Sequence, residues 1–443
     1  MSQVSLRSRV LQAGGWTLGS HITGQTIRLA SNLILARLLF PEAFGTMAIV
    51  AAVLAGVTMF TDVGLSLSVI RSVRGADPRF LNTVWTLQIL KGIAVAIALL
   101  CLAWPFAWIF NIPALGPMIA TIGLVSVIGG AQSTKLELAT RDLQAKRITL
   151  LALGSQLISI ATMVCMAWVW PSPWALLWGS VVGTALNSIG SHVVLQGPSN
   201  KLAWDKEGVR EVFHFGGWIL LSSGLTFLAS EGLQLVRASL VDLRLMGLIG
   251  MGAILSLAFS SATNLISGNV MFPAYAEVWR KDPSRLRDVV ARARMAILIP
   301  SWLFSATLVV FGPALIAFLY DDRYTDMGLI IQIQSAGLCF SMVASAYTTI
   351  PFVIGKPGLN VFFLATQGLI ELTGLLVGMA VAGPLGMIIG GAIAGLINYP
   401  VAAVVYYRLN LWQPGVDIPF LLLSVMPFAW LVWAGNWSDA ARW

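Results

Sequence analysis

Four polar side chains, His21, Gln25, Arg28 and Asn32, recur at i, i+4, i+7 and i+11 in an otherwise apolar stretch. A helix carries that spacing on one face. A guanidinium there can grip an anion through charge-assisted hydrogen bonds. At mid-bilayer it costs about 2.5 to 3.5 kcal/mol on insertion scales, so Arg28 must face protein or water. A later stretch repeats the arrangement with Ser223, Ser230, Gln234 and Arg237 on one stripe and Glu231 at its edge. Asp62 with Thr58 and Ser66, Lys91 with Gln88, and Glu371 with Gln367 complete the buried polar set. Turned toward one another, these faces would line a central cavity between two lobes. A structural role is the alternative for several of them. Asp62 could pair with a cationic neighbour, Arg237 could snorkel toward Asp242 or pair with Glu231, and the serines and Gln25 could bridge helices.

The elements that must position these groups follow from composition. The chain of 443 residues is 57% hydrophobic and 10% charged, with mean hydropathy +0.83. It has too little polar surface to coat a soluble globule of that size. Apolar runs long enough to span a bilayer, about 20 residues each, occur roughly thirteen times. Six lie near 14–36, 45–69, 82–104, 117–134, 148–169 and 174–195. Six more lie near 216–238, 246–271, 295–318, 328–350, 359–381 and 385–406, with a thirteenth near 417–435. The expected fold is all-α and polytopic.

Gly14-Gly15-Trp16 recurs as Gly216-Gly217-Trp218, and Leu33, Ala36, Leu38 and Gly45 then align with Leu235, Ala238, Leu240 and Gly247 without a gap. A period near half the chain length is the mark of two copies of one helical bundle. The expected division is an N-terminal six-helix lobe over 1–200, a C-terminal six-helix lobe over 201–410 and an extra helix with a tail over 411–443. Six is an even number, so both lobes enter from the same side as a parallel repeat. With the N-terminus cytoplasmic, twenty of the 27 basic residues fall on inner segments, including the run from Arg280 to Arg294. The net charge of +8 is therefore a topology signal, in keeping with anionic membrane lipid as a partner and nucleic acid as none.

Catalysis finds no foothold. Cys101, Cys165 and Cys339 are isolated, and His21, His192 and His214 have no ligand spacing, so neither metal nor cofactor is expected. Gly355-Lys356-Pro357 lacks the upstream glycine of a phosphate-binding loop. The outer connections are short, and the cluster Asp321, Asp322 and Asp326 reads as a solvated turn. The pairs Gly15/Gly19, Gly179/Gly183, Gly374/Gly378, Gly386/Gly390 and Gly391/Gly395 have GxxxG spacing and read as helix contacts.

Leu35-Ala36-Arg37-Leu38-Leu39-Phe40-Pro41-Glu42-Ala43-Phe44-Gly45 resembles the signature after the first helix of polysaccharide exporters of the Wzx flippase type. Asp62-Val63-Gly64-Leu65, Thr140-Arg141-Asp142-Leu143-Gln144-Ala145-Lys146-Arg147 and Phe215-Gly216-Gly217-Trp218 are similar to later motifs of that family, in the same order. Ala145 stands where an aromatic residue is usual, and Leu243 occupies the second lobe's counterpart of Pro41. The resemblance implies the multidrug/oligosaccharidyl-lipid/polysaccharide exporter fold, in which two six-helix bundles flank a cavity, and a MATE-like architecture. It further implies a flippase that carries undecaprenyl-pyrophosphate-linked oligosaccharide across a bacterial inner membrane by alternating access, and no enzyme. On that reading Arg28 and Lys91, with His21, Gln25, Asn32 and Arg237, would bind substrate, and Asp62, Glu231 or Glu371 would carry a coupling proton. Polysaccharide-assembly proteins are the expected partners of a monomeric chain. A cation-coupled drug exporter of the same fold, or a membrane polysaccharide polymerase or ligase, is the alternative.

Overall fold

Helix starts are written into the sequence by proline, which has no N–H to leave unsatisfied in a first turn. Pro41, Pro78 and Pro173 each open a helix. Asp77 and Ser172 cap the latter two by accepting from the N–H groups of Arg79 (3.0 Å) and Trp174 (3.4 Å). The computed structural model describes residues 6–434 apart from 257–259, 262, 264–266, 346 and 357, and every regular element among the described residues is helical. Seven of these helices are long and apolar enough to cross a membrane, or eight if one bent pair makes a single crossing. The protein is thus an all-α, multi-pass membrane protein.

The chain forms two compact units, Met1–Phe227 and Leu228–Trp443. The first contains α1 (Leu6–Leu38), α2 (Pro41–Phe60), α3 (Leu65–Arg71), α4 (Pro78–Ile109), α5 (Leu115–Gly130), α6 (Lys135–Arg141), α7 (Ala145–Val169) and α8 (Pro173–Val193). Helix α9 (Lys206–Ala229) belongs to it as far as Phe227. Its principal helix pairs are α4 with α5, α7 with α8, and α1 with α7. The second unit holds α10 (Glu231–Leu240), α11 (Leu243–Ser256), α12 (Phe272–Lys281), α13 (Leu286–Leu319), α14 (Met327–Ser345), α15 (Ile350–Val353), α16 (Gly358–Arg408) and α17 (Pro414–Ala434). There α14 packs against α11, α13, α16 and α17, and Tyr275, Leu286, Tyr347 and Tyr406 fill one core cluster.

Three expected spans depart from a continuous helix. The span over 45–69 divides at 61–64, where Gly64 takes a left-handed conformation (φ +65°) that any side chain would strain. The span over 117–134 stops at Gly130, and the chain bends by 61° between α5 and α6. The span over 216–238 is interrupted at Ser230 (φ −128°, ψ −84°), so Ser223 lies on α9 and Gln234 and Arg237 on α10. Part of the span over 246–271 lies outside the described residues, and its last described turn, 267–271, is a π-helix.

Helix α16 runs through a non-helical turn at Ala382 and Gly383 and is a hairpin of two arms. Two GxxxG pairs meet across it. A Cβ added at Gly374 would sit 2.5 Å from the Gly390 carbonyl oxygen, and one at Gly378 would overlap the Gly386 carbonyl oxygen. Only glycine lets two backbones approach that closely. Gly15 and Gly19, by contrast, have nothing within 4 Å of an added Cβ.

Candidate functional site

In the first unit, α1 packs on α7, where Gln156 Nε2 donates to the Gly24 carbonyl (3.0 Å). His21, Gln25 and Asn32 are half-buried along α1, whereas Arg28 is exposed and forms no ion pair among the described residues. Lys91 does have a partner. Its ammonium donates to Asp62 Oδ1 at 3.1 Å, and the same oxygen accepts the Gly64 N–H at 3.1 Å, so the break after α2 is what presents Asp62 to α4. Lys91 is held there by the close approach of α4 and α5, where a Cβ at Gly130 would lie 2.6 Å from the Gln88 carbonyl oxygen. The Gln88 side chain points elsewhere: its amide donates to Glu137 Oε1 (3.0 Å), which also accepts from Ser66 Oγ (2.9 Å). Lys91 and Gln88 therefore do not share one polar group, because a carboxylate of α6 absent from the expected set claims the amide.

A cavity of this unit, about 470 Å³, lies among α5, α7 and α8 and is lined by uncharged groups, including Gln132, Gln156 and Asn187. None of the expected site residues reaches it. At one end of the unit Arg141 donates to the carbonyls of Val69 (3.2 Å) and Ser72 (2.8 Å), while Arg74 pairs with Asp205 at 2.7 Å. The hydrogen bond from Arg74 holds the Asp205 carboxyl below the usual carboxylate range.

In the second unit, a cavity of about 380 Å³ is lined entirely by residues of that unit, drawn from α10, α11, α14 and α16 and from the segment after α14. Arg237 and Glu371 form an ion pair in its wall. Arg237 therefore turns to α16 and not to Glu231 or Asp242. Glu231 sits half-buried at the start of α10 and does not line the cavity. Asp242 caps α11, accepting the Leu245 N–H at 2.8 Å. Gln334 donates to the Ile249 carbonyl (3.1 Å), but its Oε1, like Oδ1 of Asn398, is buried with no hydrogen-bond donor among the described residues. Both side chains line the cavity. Unmet buried acceptors cost about 1 to 3 kcal/mol each unless something in the cavity donates to them.

One charged cluster has no counterpart in the expected set. Arg294, counted with the inner basic run, is fully buried within α13, and its guanidinium meets Asp417 (2.7 Å), Gln413 (2.9 Å) and the Val343 carbonyl (2.9 Å). Asp417 also accepts from the hydroxyls of Tyr347 (2.7 Å) and Tyr399 (3.0 Å). The arginine sits at the end of a basic stretch and the aspartate in the first turn of α17, so each reads in the sequence as an ordinary helix-end charge. Asp321 is paired with Arg323, and Asp326 with Arg244 at 2.8 Å, so the acidic turn is held by its neighbours.

The model of a family described as "Polysaccharide biosynthesis protein" matches residues 34–328. The chain is similar to the lipopolysaccharide biosynthesis protein WzxC of Escherichia coli (strain K12), 20% identical over 438 residues that make up 95% of this chain and 88% of the relative. It is also similar to the amylovoran biosynthesis protein AmsL of Erwinia amylovora, 21% identical over 268 residues, 59% of this chain and 67% of the relative. Among solved structures, an inward-facing multidrug resistance MATE family transporter of the MOP superfamily superposes with a TM-score of 0.67 at 11% identity, covering 87% of this chain and 94% of that one. The lipid II flippase MurJ in an inward closed conformation superposes at 0.57 with 13% identity, covering 95% and 92%. At such identities the likeness is one of fold.

Proposed function

We propose, from the premise that this chain belongs to the polysaccharide biosynthesis protein family, that it is a flippase for undecaprenyl-pyrophosphate-linked oligosaccharide in a bacterial inner membrane. The observation that carries this reading is the family match across residues 34–328, on a chain whose helices are those of a multi-pass membrane protein. The relative WzxC, named for lipopolysaccharide biosynthesis, and the fold shared with the lipid II flippase MurJ support it.

Transport would proceed by alternating access through two repeats, 1–200 and 201–410, with the N-terminus cytoplasmic and no bond made or broken. Arg28 is the residue we assign to the pyrophosphate or an acidic sugar, flanked by His21, Gln25 and Asn32. A guanidinium with no carboxylate partner keeps its attraction for an anionic ligand. Lys91 would join it only when Asp62 takes up a proton, which gives that acid a coupling role; in the second unit Glu371, held by Arg237, and Glu231 are the acids we assign to coupling.

Deleting this gene from its own host tests the reading. Surface polysaccharide should vanish, lipid-linked repeat units should accumulate in the inner membrane, and a plasmid copy should reverse both. Unchanged surface polysaccharide, with no accumulated lipid-linked units, would overturn it.

A further inference from the structure

Asp62 and Glu371 each lie against a cation, Lys91 and Arg237 respectively. Glu137 does not. It is 6% exposed on α6 and forms no ion pair among the described residues. Its Oε1 accepts from Ser66 Oγ on α3 and from Gln88 Nε2 on α4, while its Oε2 is buried and meets no donor among the described residues. Gln88 Oε1 is in the same position, buried and unmet. Burial penalises a carboxylate charge that no cation compensates, and it penalises an acceptor that no donor reaches. Both penalties fall on one pair of side chains.

A single proton removes them together. A protonated carboxyl carries one O–H donor. Gln88 Nε2 already donates to Oε1, so the two unmet oxygens belong to the same two planar groups, and an O–H on Oε2 donating to Gln88 Oε1 closes a reciprocal acid–amide pair. Turning the Gln88 amide over does not remove the need, because its oxygen would then face Oε1 with no hydrogen between them. The surrounding cations are engaged elsewhere. On α4, Lys91 holds Asp62. On α6 itself, Lys135 donates to the His192 carbonyl (2.7 Å), and Arg141 to the carbonyls of Val69 and Ser72. The His192 ring on α8 contacts the Ala131 carbonyl (2.9 Å). On α7, Lys146 lies 5.7 Å from the centre of the Trp16 ring, and Arg147 forms no ion pair among the described residues. Arg71, Arg79 and Asp142 are exposed.

We propose that Glu137 is a proton-binding site of the first unit: neutral in this arrangement, it joins α6 to α3 and α4 through Ser66 and Gln88, and loss of its proton releases that junction. The proposal goes beyond the flippase reading and does not depend on it. Ser66 lies four residues after Asp62, and Gln88 three before Lys91, so a proton at Glu137 and one at Asp62 act on the same two stretches of chain.

Glu137→Gln tests it, because glutamine has the neutral shape of the protonated acid and offers the same donor and acceptor. Purified full-length wild type and E137Q in one detergent are compared at matched pH, from about pH 5 to about pH 9, by hydrogen exchange of residues 135–141 and by infrared absorption of carboxylic acid carbonyls. The closed junction keeps the proton and the opened one releases it, so low pH holds α6 in place. Each pH unit above the ordinary glutamate range should raise opening in the wild type by up to about tenfold relative to E137Q, until Glu137 ionises in place. The two chains should differ least at the acid end. Near neutral pH a carboxylic acid carbonyl band should be present in the wild type and missing from E137Q. Exchange that stays equal across the range, or infrared spectra without that difference, would overturn the proposal. So would an E137Q chain that fails to fold, since the ionised carboxylate would then be what the junction requires.

Discussion

Arg28 differs from Lys91 and Arg237 in what its charge meets. Lys91 lies 3.1 Å from Asp62, and Arg237 is paired with Glu371, whereas Arg28 is exposed on α1 with no ion pair among the described residues. Removing a charge that has no ion pair among the described residues orphans no carboxylate there, so Arg28→Ala should reach the membrane in normal amount. It should nonetheless cut surface polysaccharide in a deletion strain roughly tenfold or more, the worth of a charge-assisted hydrogen bond. Arg28→Lys should restore part of the display, keeping a point charge but losing the planar fork. Normal display from Arg28→Ala would remove it from the site, and low abundance would assign it to structure. Arg294 forecasts the opposite pattern. Stranding either partner of a fully buried pair costs about 3 to 5 kcal/mol, so Arg294→Met and Asp417→Leu should each lower the melting temperature of the detergent-solubilised protein sharply. The double variant should recover much of that loss, since no unpaired charge remains, and failure to recover would show that the tyrosine hydroxyls depend on the pair. Periodicity exposed the α1 stripe because Arg28 interrupts an apolar run. It could not expose Arg294 and Asp417, which are 123 residues apart and meet only in the folded unit.

At the scale of elements, GxxxG spacing was readable but its use was not. Gly374 and Gly378 face Gly390 and Gly386 across the hairpin of α16, whereas Gly15 and Gly19 face open space. The motif states that a close approach is permitted, and the turn at Ala382 and Gly383 decides whether another backbone arrives. Gly378→Ala should therefore force the arms apart at a cost of about 1 to 3 kcal/mol, as overpacking does. Gly15→Ala, with the same motif and the same added methyl, should change stability by about 0.5 kcal/mol or less. Thermal melting of the two variants in detergent compares them directly, and equal shifts would sink the hairpin argument. The breaks at 61–64 and at Ser230 were hidden for a related reason. Each lies within a longer, mostly apolar stretch without a proline, and the left-handed Gly64 and the dihedrals of Ser230 mark where the helix stops. Each break places an ion pair, since one aims Asp62 at Lys91 and the other starts the short helix that carries Arg237 to Glu371.

At the scale of the molecule, the membrane class was legible because composition alone requires it: a chain with mean hydropathy +0.83 has nowhere else to put its surface. Sidedness rests on a different quantity, the distribution of lysine and arginine among the connections. Ser284 and Asp322 are well placed to test it. They lie at opposite ends of α13, in the turns that precede and follow it, and both are exposed. Helix α13 is among those long and apolar enough to cross the bilayer, so the two turns should face opposite compartments. Native cysteines must first be removed, since Cys101 and Cys165 are exposed on apolar helices, and Cys339, which is buried, is best replaced by alanine to keep its packing. In that background Asp322→Cys should react with a membrane-impermeant maleimide added to intact cells, and Ser284→Cys should react only after permeabilisation. Exposure of both side chains means that a missing signal reports the barrier and not a buried thiol. The reverse pattern would place the N-terminus outside and move the Arg280 to Arg292 run away from the cytoplasm, against the positive-inside bias. Labelling of both in intact cells would mean that α13 does not cross, which would undo the reading of the second unit from the sequence upward.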